Sequence, residues 1–105
     1  MNKRFLVMKW NYTYDKESTW FDEDSGEEQY ELEEGAVYAL PHIRKRLEIC
    51  SVTVGDDFVR AEIYVDYKTY TVCSDGDPVV GDASDDYSVA GDSVHQSLSM
   101  KFTVK

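Results

Sequence analysis

Residues 94–104, Val94-His95-Gln96-Ser97-Leu98-Ser99-Met100-Lys101-Phe102-Thr103-Val104, decide the fold. Val94, Leu98, Met100, Phe102 and Val104 share one face of an extended chain, with Gln96 the exception. His95, Ser97, Ser99, Lys101 and Thr103 share the other. A period of two with one apolar face describes a half-buried strand of an antiparallel sheet. Residues 4–14 read the same way, with Leu6, Met8, Trp10, Tyr12 and Tyr14 alternating against Lys9, Asn11 and Thr13. Phe5 and Val7 make the start of that strand apolar on both sides, as for a strand covered at one end.

The middle of the chain reads as a meander over 47–54, 57–66 and 69–73. Cys50, Val52 and Val54 alternate up to Gly55-Asp56, and Val59, Ala61, Ile63 and Val65 alternate after it. A two-residue loop at Gly55-Asp56 sets Val52 against Val59 and Cys50 against Ala61, all on the core face. An odd loop would set Val52 against Arg60, so the pattern selects an even one. A second reversal near Tyr67-Lys68 brings Tyr70 and Val72 onto the face of Ile63 and Val65. In segment 28–48, Leu32, Ala36, Leu40, Ile43 and Leu47 have helical spacing, but Gly35 and Pro41 interrupt it. A Pro inside a helix costs about 3 kcal/mol. Extended structure at 28–33 and 36–40 is therefore expected, then at most a short helical turn led by Pro41. The expected fold is mainly β: one domain over 1–105, a small antiparallel sandwich or open barrel with at most one short helix, α+β being the alternative.

The 105 residues carry 42% apolar and 30% charged side chains, enough to bury a core and too few for a second domain. A net charge of −10 speaks against direct binding of nucleic acid or an anionic membrane. No run approaches the roughly 20 apolar residues of a membrane span. Only Phe5-Leu6-Val7-Met8 separates Arg4 from Lys9, short of the roughly 7 to 15 residues of a signal-peptide core, so a cytoplasmic chain is expected. Cys50 and Cys73, two strands apart at roughly 9 to 10 Å and on opposite faces, are expected to be free thiols in a reducing compartment.

No catalytic motif is present. Neither His42 nor His95 is brought near a cysteine by the sequence, and there is no glycine-rich phosphate loop, Gly-x-Ser-x-Gly or His-Glu-x-x-His. The spacings that begin at Asp22 and Asp75 both fail the EF-hand pattern, and two distant His with two Cys do not suit structural zinc. An enzyme is not expected, nor a metal or cofactor.

The informative feature is the distribution of charge. Segment 15–34 holds ten acids and one base, and segment 74–92 holds six acids and no base. The remaining residues hold ten bases and five acids, including the basic run His42-Ile43-Arg44-Lys45-Arg46. Solubility alone would scatter the acids over every wet face. As solvated loops the two segments would do no more than that; as one negative surface they would address a basic partner. Trp20, Phe21, Tyr30, Tyr38 and Tyr87 lie within or beside these segments, as large interface anchors do, unless Trp20-Phe21 folds back to cap the sheet as core.

The expected function is a small acidic protein that inhibits a basic, nucleic-acid-binding partner by occupying its nucleic-acid site. Glu31 and Glu33 on one face of an extended segment would stand roughly 6.6 to 6.8 Å apart, similar to successive phosphates. In size, charge and absence of catalytic motifs the chain resembles small acidic proteins that phages use against host nucleases, anti-CRISPR proteins among them; the likeness is one of composition, with no shared motif. The implied partner is a basic protein such as a Cas effector. The candidate contact residues in the first segment are Trp20, Asp22, Glu23 and Asp24, then Glu27, Glu28, Tyr30 and Glu31, then Glu33 and Glu34. In the second they are Asp75, Asp77, Asp82, Asp85 and Asp86. A structural or adaptor β-domain, such as a virion or assembly component, and an immunity protein against a basic toxin are the alternatives.

Overall fold

The computed structural model describes residues 3–17 and 20–105. Eight strands follow in order: β1 (Phe5–Lys16), β2 (Trp20–Glu31), β3 (Val37–Ala39), β4 (Arg46–Val54), β5 (Val59–Val65), β6 (Lys68–Cys73), β7 (Val79–Val89) and β8 (Asp92–Val104). They build two antiparallel four-stranded sheets, one in the order β2-β1-β8-β7 and one in the order β3-β4-β5-β6. The described residues contain no helix, and the molecule is the expected small mainly-β sandwich. Among the described residues no helix is long and apolar enough to cross a membrane.

The two alternating stretches become β1 and β8, paired with each other in the middle of the first sheet. Leu6, Met8, Trp10 and Tyr12 of β1 and Leu98, Met100 and Phe102 of β8 face inward and are buried. Against them pack Leu47, Ile49, Ile63, Val65 and Val72 of the second sheet. Gln96, the exception in the pattern, is also buried, and its Nε2 donates to the Tyr12 hydroxyl.

The meander forms with an altered register. Val52 lies beside Ala61, not Val59, and Val54 pairs with Val59 across a four-residue loop closed by the Gly55 N–H donating to the Phe58 carbonyl at 2.8 Å. The loop is even, as parity required, but two residues longer. Cys50 is not on the core face: it is the extra residue of a β-bulge between Ile49 and Ser51 and is exposed. The reason lies in β4 itself, where Leu47 and Ile49 are out of phase with Val52 and Val54. One inserted residue lets both pairs face inward. The second reversal comes one residue early, at Asp66-Tyr67, with φ of 48° and 67°. Two positive φ values make a type I′ turn, whose twist suits a two-residue hairpin. The helical turn after Pro41 is absent. The Ile43 N–H instead donates to the Pro41 carbonyl at 2.8 Å, closing a γ-turn with His42 at φ 66°.

The first sheet is much longer than the second. Strands of 11 to 13 residues span roughly 36 to 44 Å, against roughly 10 to 31 Å for the strands of the second sheet, which hold three to nine. The molecule is accordingly a rod of 54 × 21 × 21 Å with a radius of gyration of 15.4 Å, above the ~13 Å of a compact chain this size. Lys16 pairs with both Trp20 and Val94, and Val89 pairs with Asp92, so these four strand ends lie together at one end of the rod. The β3–β4 loop, residues 40–45, crosses the inner face near that end, and this is where the candidate site lies.

Candidate functional site

The two acidic segments are not loops. Their central parts are β2 and β7, the two edge strands of the long sheet. On β2, register places Trp20, Asp22, Asp24 and Glu28 on the inner face, and Phe21, Glu23, Glu27 and Glu31 on the outer. On β7, Asp85 and Tyr87 face inward, Asp82 and Asp86 outward. Two strands separate these edges, so the acids form two strips roughly 14 Å apart. Trp20 and Phe21 do not fold back as core: they are 62% and 61% exposed. Tyr30, expected at the contact surface, is buried instead, and burial pushes its hydroxyl up to about 12.

The remaining candidates are dispersed. Asp75 and Asp77 lie in the β6–β7 connection, near the end of the rod opposite Trp20. Glu33 follows the end of β2, so the regular spacing belongs to Asp22 with Asp24 rather than to Glu31 with Glu33. Glu34 accepts the Val52 N–H at 3.0 Å.

The basic run ties the strips together from above. His42 Nε2 lies 2.8 Å from Asp24 Oδ2 on β2, and its ring stacks on Tyr12 with centroids 4.4 Å apart. Arg44 Nε donates to Asp85 Oδ2 on β7 at 2.9 Å, with its guanidinium carbon 4.8 Å above the Tyr87 ring. Lys45 Nζ meets Asp66 at 3.1 Å. The γ-turn aims His42 and Arg44 at opposite edges of the sheet, a strained backbone in the service of a clamp. The His42 hydrogen bond, with the Ser25 N–H, holds the Asp24 carboxyl below the usual range; the Arg44 hydrogen bond does the same for Asp85. A lowered folded-state value stabilises fully above the unfolded value of about 3.9 and loses its effect as pH falls through the lowered one. The aromatic near-UV circular dichroism of the clamp is therefore expected to hold from pH 7 to pH 5 and to collapse only below about pH 4; loss of that signal between pH 7 and 5 would contradict this assignment.

Part of the edge backbone is also capped. The Leu32 N–H donates to the Arg4 carbonyl, so even-numbered residues of β2 bond to β1 and odd-numbered ones face the open edge. The open-edge amides of Glu23 and Ser25 are taken by the carboxylates of Asp22 and Asp24, each at 2.9 Å. On β7, the Ser84 amide donates to Asp66 at 3.0 Å and the Asp82 amide to the Tyr70 hydroxyl at 3.4 Å. Both edges thus have donors capped by side-chain oxygens, which obstructs strand addition.

Between His42 and β2 the inner face opens into a groove of about 570 Å³, lined by Tyr12, Tyr14, Lys16, Trp20, Asp22 and His42. Further along β2 Gly26 is required: a Cβ there would stand 2.6 Å from the buried Trp10 indole.

No family model, curated protein or solved structure matches the chain.

The chemistry of the surface follows from its own groups. Among the described residues, no three His, Cys, Asp or Glu side chains are placed to hold a metal ion. Carboxylates on open strand edges beside exposed aromatic rings suit recognition of a cationic surface. Sequence reasoning missed Tyr14, Lys16 and His42 as groove walls and Arg44 as a clamp. The basic run between two acidic segments was the available signal for the clamp; its pairing across both edges depends on a γ-turn that composition does not announce.

Proposed function

We propose that this chain is a small acidic binding protein that inhibits a basic, nucleic-acid-binding partner by occupying its nucleic-acid site. The observation that carries the reading is the acidic strip on β2, at one edge of a rod 21 Å thick: among the described residues Asp22, Glu23, Glu27 and Glu28 are in no ion pair, whereas Asp82, Asp85 and Asp86 of β7 are paired with Lys68, Arg44 and His95. β2 advances ~3.4 Å per residue, so alternate residues on one face stand roughly 6.8 Å apart, similar to successive phosphates of one nucleic-acid strand. Asp22 and Asp24 therefore stand on the inner face of β2 at about that spacing, and Glu23, Glu27 and Glu31 at twice that spacing on the outer. A cleft lined with Lys and Arg responds to that arrangement through Coulomb attraction.

The test is competition. A basic nuclease or DNA-binding protein, such as a Cas effector, is loaded with labelled nucleic acid and titrated with this chain at low and high salt. The expected result is displacement that weakens steeply as salt rises. Salt-independent binding that leaves the nucleic acid in place would favour an adaptor or assembly role, in which the acids serve solubility.

A further inference from the structure

Two rows of side chains cross the inner face of the long sheet near the groove. Register aligns Asp22, Tyr14, Gln96 and Asp85 in one row, and Trp20, Lys16, Val94 and Tyr87 in the next. Each edge therefore carries an aromatic ring and a carboxylate two residues apart at the same height: Trp20 with Asp22 on β2, Tyr87 with Asp85 on β7.

The β7 pair is filled from within the chain. Arg44 lays its guanidinium over Tyr87 at 4.8 Å and donates from Nε to Asp85 at 2.9 Å and from a terminal nitrogen at 3.4 Å. The β2 pair differs. Trp20 is 62% exposed, and none of the ion pairs among the described residues involves Asp22, whose Oδ1 accepts only the neighbouring Glu23 amide. The cation that shares the groove, Lys16, is 3.9 Å from Asp92.

We propose that Trp20 and Asp22 form a seat for an arginine side chain of the partner protein, on the plan that Arg44 already demonstrates at the opposite edge. The proposal rests on the reading of the chain as a binder of a basic protein and names the group that is bound. A planar guanidinium stacks on an aromatic face while its fork of N–H donors meets a carboxylate, which an ammonium does less well. Trp is the strongest ring for this contact. Asp22 has a second oxygen, Oδ2, to receive the donors while Oδ1 holds the strand edge.

The chain has two tryptophans, so the indole N–H resonances separate the seat from the core. Trp10 is 6% exposed and serves as the internal control for an intact fold. N-acetyl-arginine methylamide is titrated into the full chain alongside its lysine and citrulline counterparts. Saturable movement of the Trp20 signal alone is expected, several-fold weaker with lysine and absent with citrulline. Asp22→Asn keeps an oxygen for the Glu23 amide but removes the charge, and is expected to weaken arginine binding about tenfold, the loss of about 1.4 kcal/mol. Glu62→Gln, exposed on β5 of the second sheet, is expected to change it little. No saturable shift, equal binding of lysine, or wild-type affinity in Asp22→Asn overturns the seat.

The parent reading fails separately. Competition with nucleic acid that survives both Trp20→Ala and Asp22→Asn at full strength removes the seat from the partner interface while the acidic inhibitor stands. If reversal of the outer-face glutamates leaves competition unchanged, the inhibitor reading falls, and a positive arginine titration upholds the seat on its own.

Discussion

Phe102→Ala is expected to destabilise the fold by about 3–5 kcal/mol, the usual cost of deleting a fully buried aromatic side chain. Phe102 is 0% exposed and lies in the central strand β8, flanked in register by Met8 and Val79. Its ring meets Tyr70 of the opposing sheet with centroids 5.8 Å apart, so it bridges the two layers of the sandwich. Removing it leaves a void that both sheets would have to close, and the long sheet is held in shape by its own ladder. Small domains have about 5–15 kcal/mol in total, so this one change consumes much of the margin. Thr103, the next residue, faces away from the second sheet, and Thr103→Ala is expected to cost within about 0.5 kcal/mol. Urea unfolding followed by Trp fluorescence measures both, and equal losses would mean that the faces of β8 are reversed.

Combined reversal of Glu23, Glu27 and Glu31 to lysine is expected to slow association with a basic partner by about 10- to 100-fold at low salt. These side chains line the outer face of one edge strand and are far from the core. Steering by exposed charge acts mainly on the on-rate, so dissociation is expected to change much less. The difference between variant and parent is expected to shrink as salt approaches physiological strength, where charges beyond ~8 Å are screened. Glu27 lies opposite Lys9 in register and Glu31 is 3.9 Å from Lys3, so the triple variant also loses two favourable charge contacts, each worth about 0.2–1 kcal/mol. Stopped-flow measurement of both rate constants decides it: unchanged rates and unchanged salt dependence would reduce the acidic strips to a solubility device.

β1 and β8 were legible because eleven-residue alternation on one face leaves few other structures available. The same rule was silent on β2. Its sequence, WFDEDSGEEQYE, has polar residues on both faces, and acids are poor strand formers by propensity. Its extended state comes from pairing with β1 along its whole length, a tertiary cause that no local window contains. The bulge at Cys50 was written in the chain as a change of phase between Leu47-x-Ile49 and Val52-x-Val54. Taking one phase as primary put Cys50 inside and shifted the register by two. The turn at Asp66-Tyr67 adopts positive φ at two non-glycine residues, so the usual signal for a tight hairpin was missing. The candidate site was legible as charge and illegible as geometry: acids and Trp20 were named, whereas the ring of Tyr14 and the reach of Arg44 depend on which strands become neighbours.

Asp22 and Asp24 answer to two demands at once, and this constrains how the protein can change over generations. Under the proposed function their negative charge serves the partner surface, but their oxygens also occupy the amides of Glu23 and Ser25 at an exposed strand edge. Glutamates at 23, 27 and 31 hold no edge amide, and a lineage adapting to a new partner can exchange them at the cost of no more than an exposed charge contact. At 22 and 24 only residues with a short oxygen-bearing side chain keep the edge closed, so asparagine or serine is a tolerable step there and alanine is not. Under the proposed function, diversification under pressure from a changing target is therefore expected to run along the outer face of β2, while the inner-face aspartates drift only among short side chains that carry an oxygen.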